Sequence, residues 1–427
     1  MGGSAFSSGS NPLFTPRMSP KVYQHVLSTC HAKLRELFFV VATPIEGPEK
    51  KDHGDIDIFV AVEKNISFPS SGPDSTSLPP STRDSLKAAY FLLGAEHSIG
   101  EQPNAVNLAI PWPNDLPYEG TKGDEPRYIQ VDLHLCNSVE HLQWMLVKYA
   151  HGDLWNILGS TIRPYGLTAD EVGLYIRIPE IENLNKRQSK VLLSSDPIEI
   201  LSFLGLKYDS TQWEQPFASM EDLMEYAATC RLFWVRPKQD GSATEADGGD
   251  FDRSKMKAND RRRMKGRATF RKWYDEFIPA CRKAGRFTTP ISTRDTVRED
   301  AFAQFPGTRQ VYKNRLLEWR KEQQRQTLWQ RVIKASIPEW QEGEEEHNRR
   351  HLRSLAASSL KKIVMQDDYS LGIHPPLPLR DPDGFYKEDL VREFVVDNWR
   401  RIGEAAWEES QKKYAERLAE KGAKHTS

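Results

Sequence analysis

Two acidic residues spaced two apart, Asp55 and Asp57, stand in the run Gly54-Asp55-Ile56-Asp57-Ile58-Phe59-Val60, rich in β-branched and aromatic side chains. A strand sends alternate side chains to opposite faces. Both carboxylates therefore leave on one side, while Ile56, Ile58 and Val60 enter a core. A second run, Ile129-Gln130-Val131-Asp132-Leu133-His134-Leu135, repeats the alternation with Gln130, Asp132 and His134 on its polar face. If the two strands are neighbours in one sheet, three carboxylates converge. Close carboxylates repel one another, and a hard divalent cation such as Mg²⁺ or Mn²⁺ among them removes that repulsion. Such a cluster points to phosphoryl chemistry. The plain alternative is a strand that shows its acidic face to water. His53 and His134 read as surface histidines, not as ligands.

The surrounding elements must hold these strands together. Val22, Val26, Cys30, Leu34 and Leu37 recur at helical steps after Ser19-Pro20, a helix-start pair, and Phe38 to Ala42 follows as a short buried strand. A turn over 44–54, with Lys50 and Lys51, leads into the first carboxylate strand. The order continues with a Ser/Pro/Gly-rich insertion (66–82), a helix to residue 95, a strand over 104–112, a polar loop and the second carboxylate strand. That is an α/β domain, of the α+β kind, around a small mixed sheet. Beyond it the pattern is mainly α-helical, with two short strands at 173–178 and 190–193 that can pair. The partition read from the sequence is a flexible leader (1–18), the sheet domain (19–137), an α-rich cleft-closing domain (138–235), a linker (236–250) and a basic, amphipathic helical region (251–427).

Composition sets the limits. A chain of 427 residues with 38% hydrophobic and 28% charged residues is ordinary globular material, and a formal net charge of −1 gives no overall pull toward nucleic acid or membrane. No run is long and apolar enough to span a bilayer, and the Gly/Ser-rich start does not read as a secretory signal. Cys30, Cys136, Cys230 and Cys281 are scattered without metal-ligand or disulfide spacing, which suits a reducing compartment, cytoplasmic or nuclear.

Taken together, the helix, the strand, Gly54-Asp55-Ile56-Asp57-Ile58 and the later Val131-Asp132-Leu133 resemble the DNA polymerase β-like nucleotidyltransferase superfamily, over residues 19–136. The resemblance implies that Asp55, Asp57 and Asp132 are catalytic and metal-ligating, holding two Mg²⁺ ions and a nucleoside triphosphate such as ATP. Asp132 would help position or deprotonate an attacking hydroxyl. It also implies a nucleotide-binding role for Thr43 and Gly54, and Lys50 and Lys51 could meet the triphosphate. One departure stands out: where the family has Gly-Ser, this chain has Ala42-Thr43-Pro44. Thr43 keeps a hydroxyl donor, but Ala42 lacks glycine's freedom and Pro44 has no N–H. Gly47 is an alternative point of close approach. A further stretch, Leu193 to Gly205, resembles a segment of uncharacterised fungal and large-phage proteins that carry the same Gly-Asp-Ile-Asp strand.

Arg253 to Lys272 holds ten basic residues against one acid, Asp260, among them Arg261, Arg262, Arg263, Lys265 and Arg267. This reads as part of a long basic helix (253–282) able to neutralise the phosphates of RNA, or else as a solvated face that pairs with acidic loops or a nuclear-localisation-type cluster. Phe270, Trp273 and Phe277 within it fall at helical spacing and read as core. The expected activity is nucleotidyl transfer from an NTP to a hydroxyl, such as an RNA 3′ end. The departure at Ala42-Thr43 keeps a second reading open, a catalytically inactive member of the fold that binds nucleic acid or protein.

Overall fold

The computed structural model describes residues 3–7, 11–64, 82–118, 125–209, 213–235, 256–290, 292–338 and 346–425. The expected insertion (66–82, but for Thr82) and linker (236–250) lie outside them. Helix α1 (Pro20–Leu37) buries Val22, Tyr23, Val26, Cys30 and Leu34 along one stripe, with Pro20 in its first turn. It runs directly into strand β1 (Phe38–Ala42), and the chain returns as β2 (Asp55–Glu63). After α2 (Thr82–Leu93) come β3 (His97–Gln102), β4 (Ala105–Pro111) and β5 (Tyr128–Leu135). The five strands form one mixed sheet in the order β1-β2-β5-β4-β3, in which only the β2–β5 pair is parallel.

The two faces of this sheet differ because the strands alternate. Ile56, Ile58 and Val60 of β2 and Ile129, Val131, Leu133 and Leu135 of β5 join α1 and α2 in one apolar core. Full burial of such side chains contributes about 1.5–3 kcal/mol each. On the other face β2 presents Asp55 and Asp57, then Phe59 and Ala61. The last two are capped by Leu142 and Met145 of α3 (Val139–Tyr149), whose first turn is capped by the Ser138 hydroxyl. Helix α3 thus covers one end of this face, beyond the carboxylates.

The chain divides into two compact units, residues 1–309 and 310–427. The stretch read as a separate domain (138–235) and the basic stretch to residue 309 therefore belong to the same unit as the sheet. Strands Leu174–Arg177 and Lys190–Ser194 do pair, antiparallel, with Leu167–Ala169 as a third. In the second unit, Leu328, Val332 and Ile333 pack with Leu360, Ile363 and Val364 of the helix Glu346–Gln366, and with Val391, Phe394 and Ile402 of the helix Glu388–His425. Those two long helices approach closely at Gly403, where an added Cβ would stand 3.2 Å from the Ala356 Cβ. Among the described residues no helix is long and apolar enough to cross a membrane.

Three expectations change. The described part of the leader is not loose: Met18 is completely buried and exchanges backbone hydrogen bonds with His53, and Phe6 packs on Ala109 and Tyr128. A few apolar anchors among the Gly and Ser residues suffice. The basic stretch is not one long helix. It breaks at Arg267, which takes extended backbone angles (φ −129°, ψ 108°), and a π-helical turn follows at Trp273–Phe277. These breaks turn Phe270 and Trp273, both fully buried, into the core. Strand β3, a short polar edge strand, has no sequence signal of its own.

Candidate functional site

The β2–β5 register sets Asp57 opposite Asp132 and Asp55 opposite Gln130, and β4 brings Asn107 opposite Asp132 from the other side. Paired residues on adjacent strands share a face. Three carboxylates and two carboxamides thus meet on one face of the sheet's centre. Asp132 accepts from Asn107 Nδ2 at 2.5 Å and from Gln130 Nε2 at 2.8 and 3.0 Å. The leader reaches the same place: the Gly3 amide donates to Asp55 Oδ2 at 2.9 Å and the Ala5 amide to Gln130 Oε1 at 3.0 Å. Gly3 has φ +82°, and a Cβ there would lie 2.1 Å from the Gly54 carbonyl oxygen, so only glycine permits this approach.

Burial, with the charges of Asp55 and Asp132, pushes the Asp57 carboxyl up to about 8, and Lys50 offsets part of this. Burial likewise raises Asp132 to about 6, where the hydrogen bond from Asn107 works against burial and Asp55 adds to it. Negative charge is thus crowded and partly desolvated, a demand that a hard divalent cation meets. The donor set is all oxygen, which suits Mg²⁺ or Mn²⁺. As the side chains stand, no three His, Cys, Asp or Glu side chains among the described residues are gathered into a metal-holding group. Asp132 is engaged by its two carboxamides, and Asp55 by the Gly3 amide.

The other expected residues divide. Thr43, just past β1, has its hydroxyl 2.8 Å from Nε2 of His31 on α1. Burial, and then Arg35, lower the His31 pKa, which favours the neutral ring. Lys50 Nζ donates to Glu46 Oε1 at 3.2 Å, and its charge acts on Asp57. Lys51 is exposed on the same turn, and Gly54 is buried beneath Gly3. Gly47 packs against Gly152, 3.6 Å from where its Cβ would be, so it meets the chain's own backbone. His53 is no surface residue: it is buried, stacks on Tyr23 at 3.8 Å and lies 2.8 Å from Glu46 Oε1. His134 is also half-buried, stacked on Phe59 at 4.8 Å.

The basic residues read as a nucleic-acid surface serve partly in structure. Asp260 is held between Arg263 (2.7 Å) and Arg163 (2.5 Å), and Arg267 donates to Asp153 at 2.6 Å. Arg261 donates to the Met256 carbonyl at 2.9 Å, and Arg262 and Lys265 are exposed. Sequence reasoning missed Asn107 and His31 as members of the site. The usable signal for Asn107 is a lone carboxamide in an otherwise apolar strand, Ala105-Val106-Asn107-Leu108-Ala109-Ile110.

An α/β unit with a mixed sheet and a carboxylate cluster on adjacent parallel strands is therefore the class that fold and site define. No family model matches the chain, and no curated protein matches it either. Among solved structures it is similar to the Leishmania infantum polymerase beta in its ternary gap complex and its ternary P/T complex. The identities are 15% and 14%, with a TM-score of 0.31 in each case. Each alignment covers 47% of this chain, and 71% and 77% of the respective polymerase chain. At those values the site's chemistry rests on its register and carboxylates instead.

Proposed function

We propose that this protein transfers a nucleotidyl group from a nucleoside triphosphate to a hydroxyl acceptor, with Mg²⁺ held by Asp55, Asp57 and Asp132. The observation that carries the reading is the register: Asp57 opposite Asp132, Asp55 on the same face, and Asp57 raised by burial and by both neighbours. Bound there, divalent cations supply charge neutralisation at the attacking and leaving oxygens of an in-line displacement. The chain's own residues do the rest. Asn107 and Gln130 fix the rotamer of Asp132, so its carboxylate is presented ready to orient a hydroxyl. Lys50 offers positive charge to phosphate oxygens beside Asp57, and Thr43, oriented by His31, stands where a hydroxyl donor is required. The acceptor class proposed is an RNA 3′ end, in keeping with the exposed Arg262 and Lys265.

A second reading has its own support. The Gly3 amide occupies Asp55, and His31 occupies Thr43, as in a site given over to holding the chain's own segments. The protein would then be a nucleic-acid binder without transfer activity. Titration of the four NTPs, with and without Mg²⁺, into wild type and an Asp55→Asn/Asp57→Asn variant separates the two. Metal-dependent binding lost in the variant supports transfer. Equal binding, or none, to both proteins rules it out.

A further inference from the structure

The second unit carries a charge pattern that the transfer reaction does not use. From residue 347 to residue 366 the sequence has Arg349, Arg350, Arg353, Lys361 and Lys362 and no Asp or Glu. In the structure this segment lies in the helix Glu346–Gln366, and Arg350, Arg353, Lys361 and Lys362 line one side of a groove of about 750 Å³. Trp329, Lys334 and Ile337 line the other side, and no carboxylate is among the groove's described lining residues. Lys334 Nζ and Lys361 Nζ each stand 5.0 Å from the centre of the Trp329 ring. The indole thus holds two like charges, one from each wall, over a single ring.

We infer that this groove binds the phosphodiester backbone of a single-stranded nucleic acid. Its length excludes small anions as the fitting ligand. From Arg350 to Lys362 a helix rises about 18 Å, well beyond the reach of one phosphate group. The groove therefore spans several phosphates, whereas a free phosphate or mononucleotide reaches only one end. The Trp329 ring is engaged by Lys334 and Lys361, so charge and the Ser354 hydroxyl meet the ligand, and bases are not read by stacking. Binding is accordingly independent of base sequence and sensitive to salt. It goes beyond the proposed transfer and stands whether or not the carboxylates are catalytic.

The test uses the full chain and a fluorescein-labelled 20-nucleotide oligouridylate, with polarisation read from 50 to 300 mM KCl. Lys361→Glu/Lys362→Glu, both exposed positions, is expected to weaken binding at least about tenfold. The milder Lys361→Gln/Lys362→Gln should flatten the plot of log K against log[KCl] by about 1.4, at roughly 0.7 for each phosphate no longer neutralised. Lys186→Glu/Arg187→Glu, the same charge reversal at exposed positions outside both basic stretches, serves as the control and should leave binding within about twofold of wild type. The inference is overturned if both lysine variants bind as wild type does. It is equally overturned if polyglutamate displaces the oligonucleotide at matched charge, or if phosphatidylserine vesicles bind with the same dependence on Lys361 and Lys362.

Discussion

Replacing Asp57 with Asn should make the metal-free protein more stable, and the gain should grow with pH. The Asp57 carboxyl is raised from 3.8 to about 8, first by burial and then by Asp55 and Asp132. A folded-state value above the unfolded one means that, between the two, the native protein keeps a proton the unfolded chain has released. Unfolding then releases protons, so stability falls as pH rises from about 4 and levels off above about 8. At about 1.4 kcal/mol per pH unit, the ceiling of this penalty is about 6 kcal/mol. Water still reaches the rim of the half-buried side chain, and interior sites respond as if their dielectric were about 20, so about 2 kcal/mol is the working figure. Asparagine keeps the shape and removes the charge. In EDTA, thermal unfolding of Asp57→Asn should match wild type near pH 4 and exceed it by about 4–8 °C at pH 8.5. Mg²⁺ should reverse the order, since a ligand at a hundred times its Kd adds about 2.7 kcal/mol only to the protein that binds it. A variant less stable than wild type at every pH in EDTA would refute the reasoning, because the carboxylate would then be a net structural support.

Four further outcomes follow from the same structure. Removing residues 1–12 takes away the Gly3 and Ala5 amides and should tighten Mn²⁺ binding several-fold by titration calorimetry; unchanged affinity would mean the leader does not compete for Asp55. Asn107→Leu removes a hydrogen bond that holds the Asp132 pKa down. It should therefore move the acidic limb of any pH–rate profile upward, by about one pH unit. Asp260→Ala strips the shared partner of Arg163 and Arg263 and should destabilise the first unit by about 3–5 kcal/mol in a urea titration; a loss under about 1 kcal/mol would mark the pair as solvated. Thr43→Val should weaken NTP binding about tenfold with little change in melting temperature, and an unaltered affinity would remove Thr43 from the nucleotide site.

Much of the site's local form was legible in the chain. The alternation in 55–60 and 129–135 follows from the strand's two-residue period, a local property, and so Asp55 and Asp57 fall on one face whatever they pack against. The same holds for α1, where Val22, Val26, Cys30 and Leu34 follow the helical period and form its buried stripe. Only the tertiary structure decided that β5 inserts between β2 and β4, because strand pairing joins residues about 75 positions apart and leaves no periodic trace between them. That insertion sets Asp132 opposite Asp57 and Asn107 opposite Asp132. It also decided what the charges at 260–267 do: the sequence shows basic residues, but burial of Phe270 and Trp273 turns Arg263 and Arg267 toward Asp260 and Asp153. The leader is the remaining case. Glycine and serine carry no strong local preference, and Gly3 finds its place only because folding sets the Gly54 carbonyl and the Asp55 carboxylate side by side, with room for a backbone and none for a Cβ.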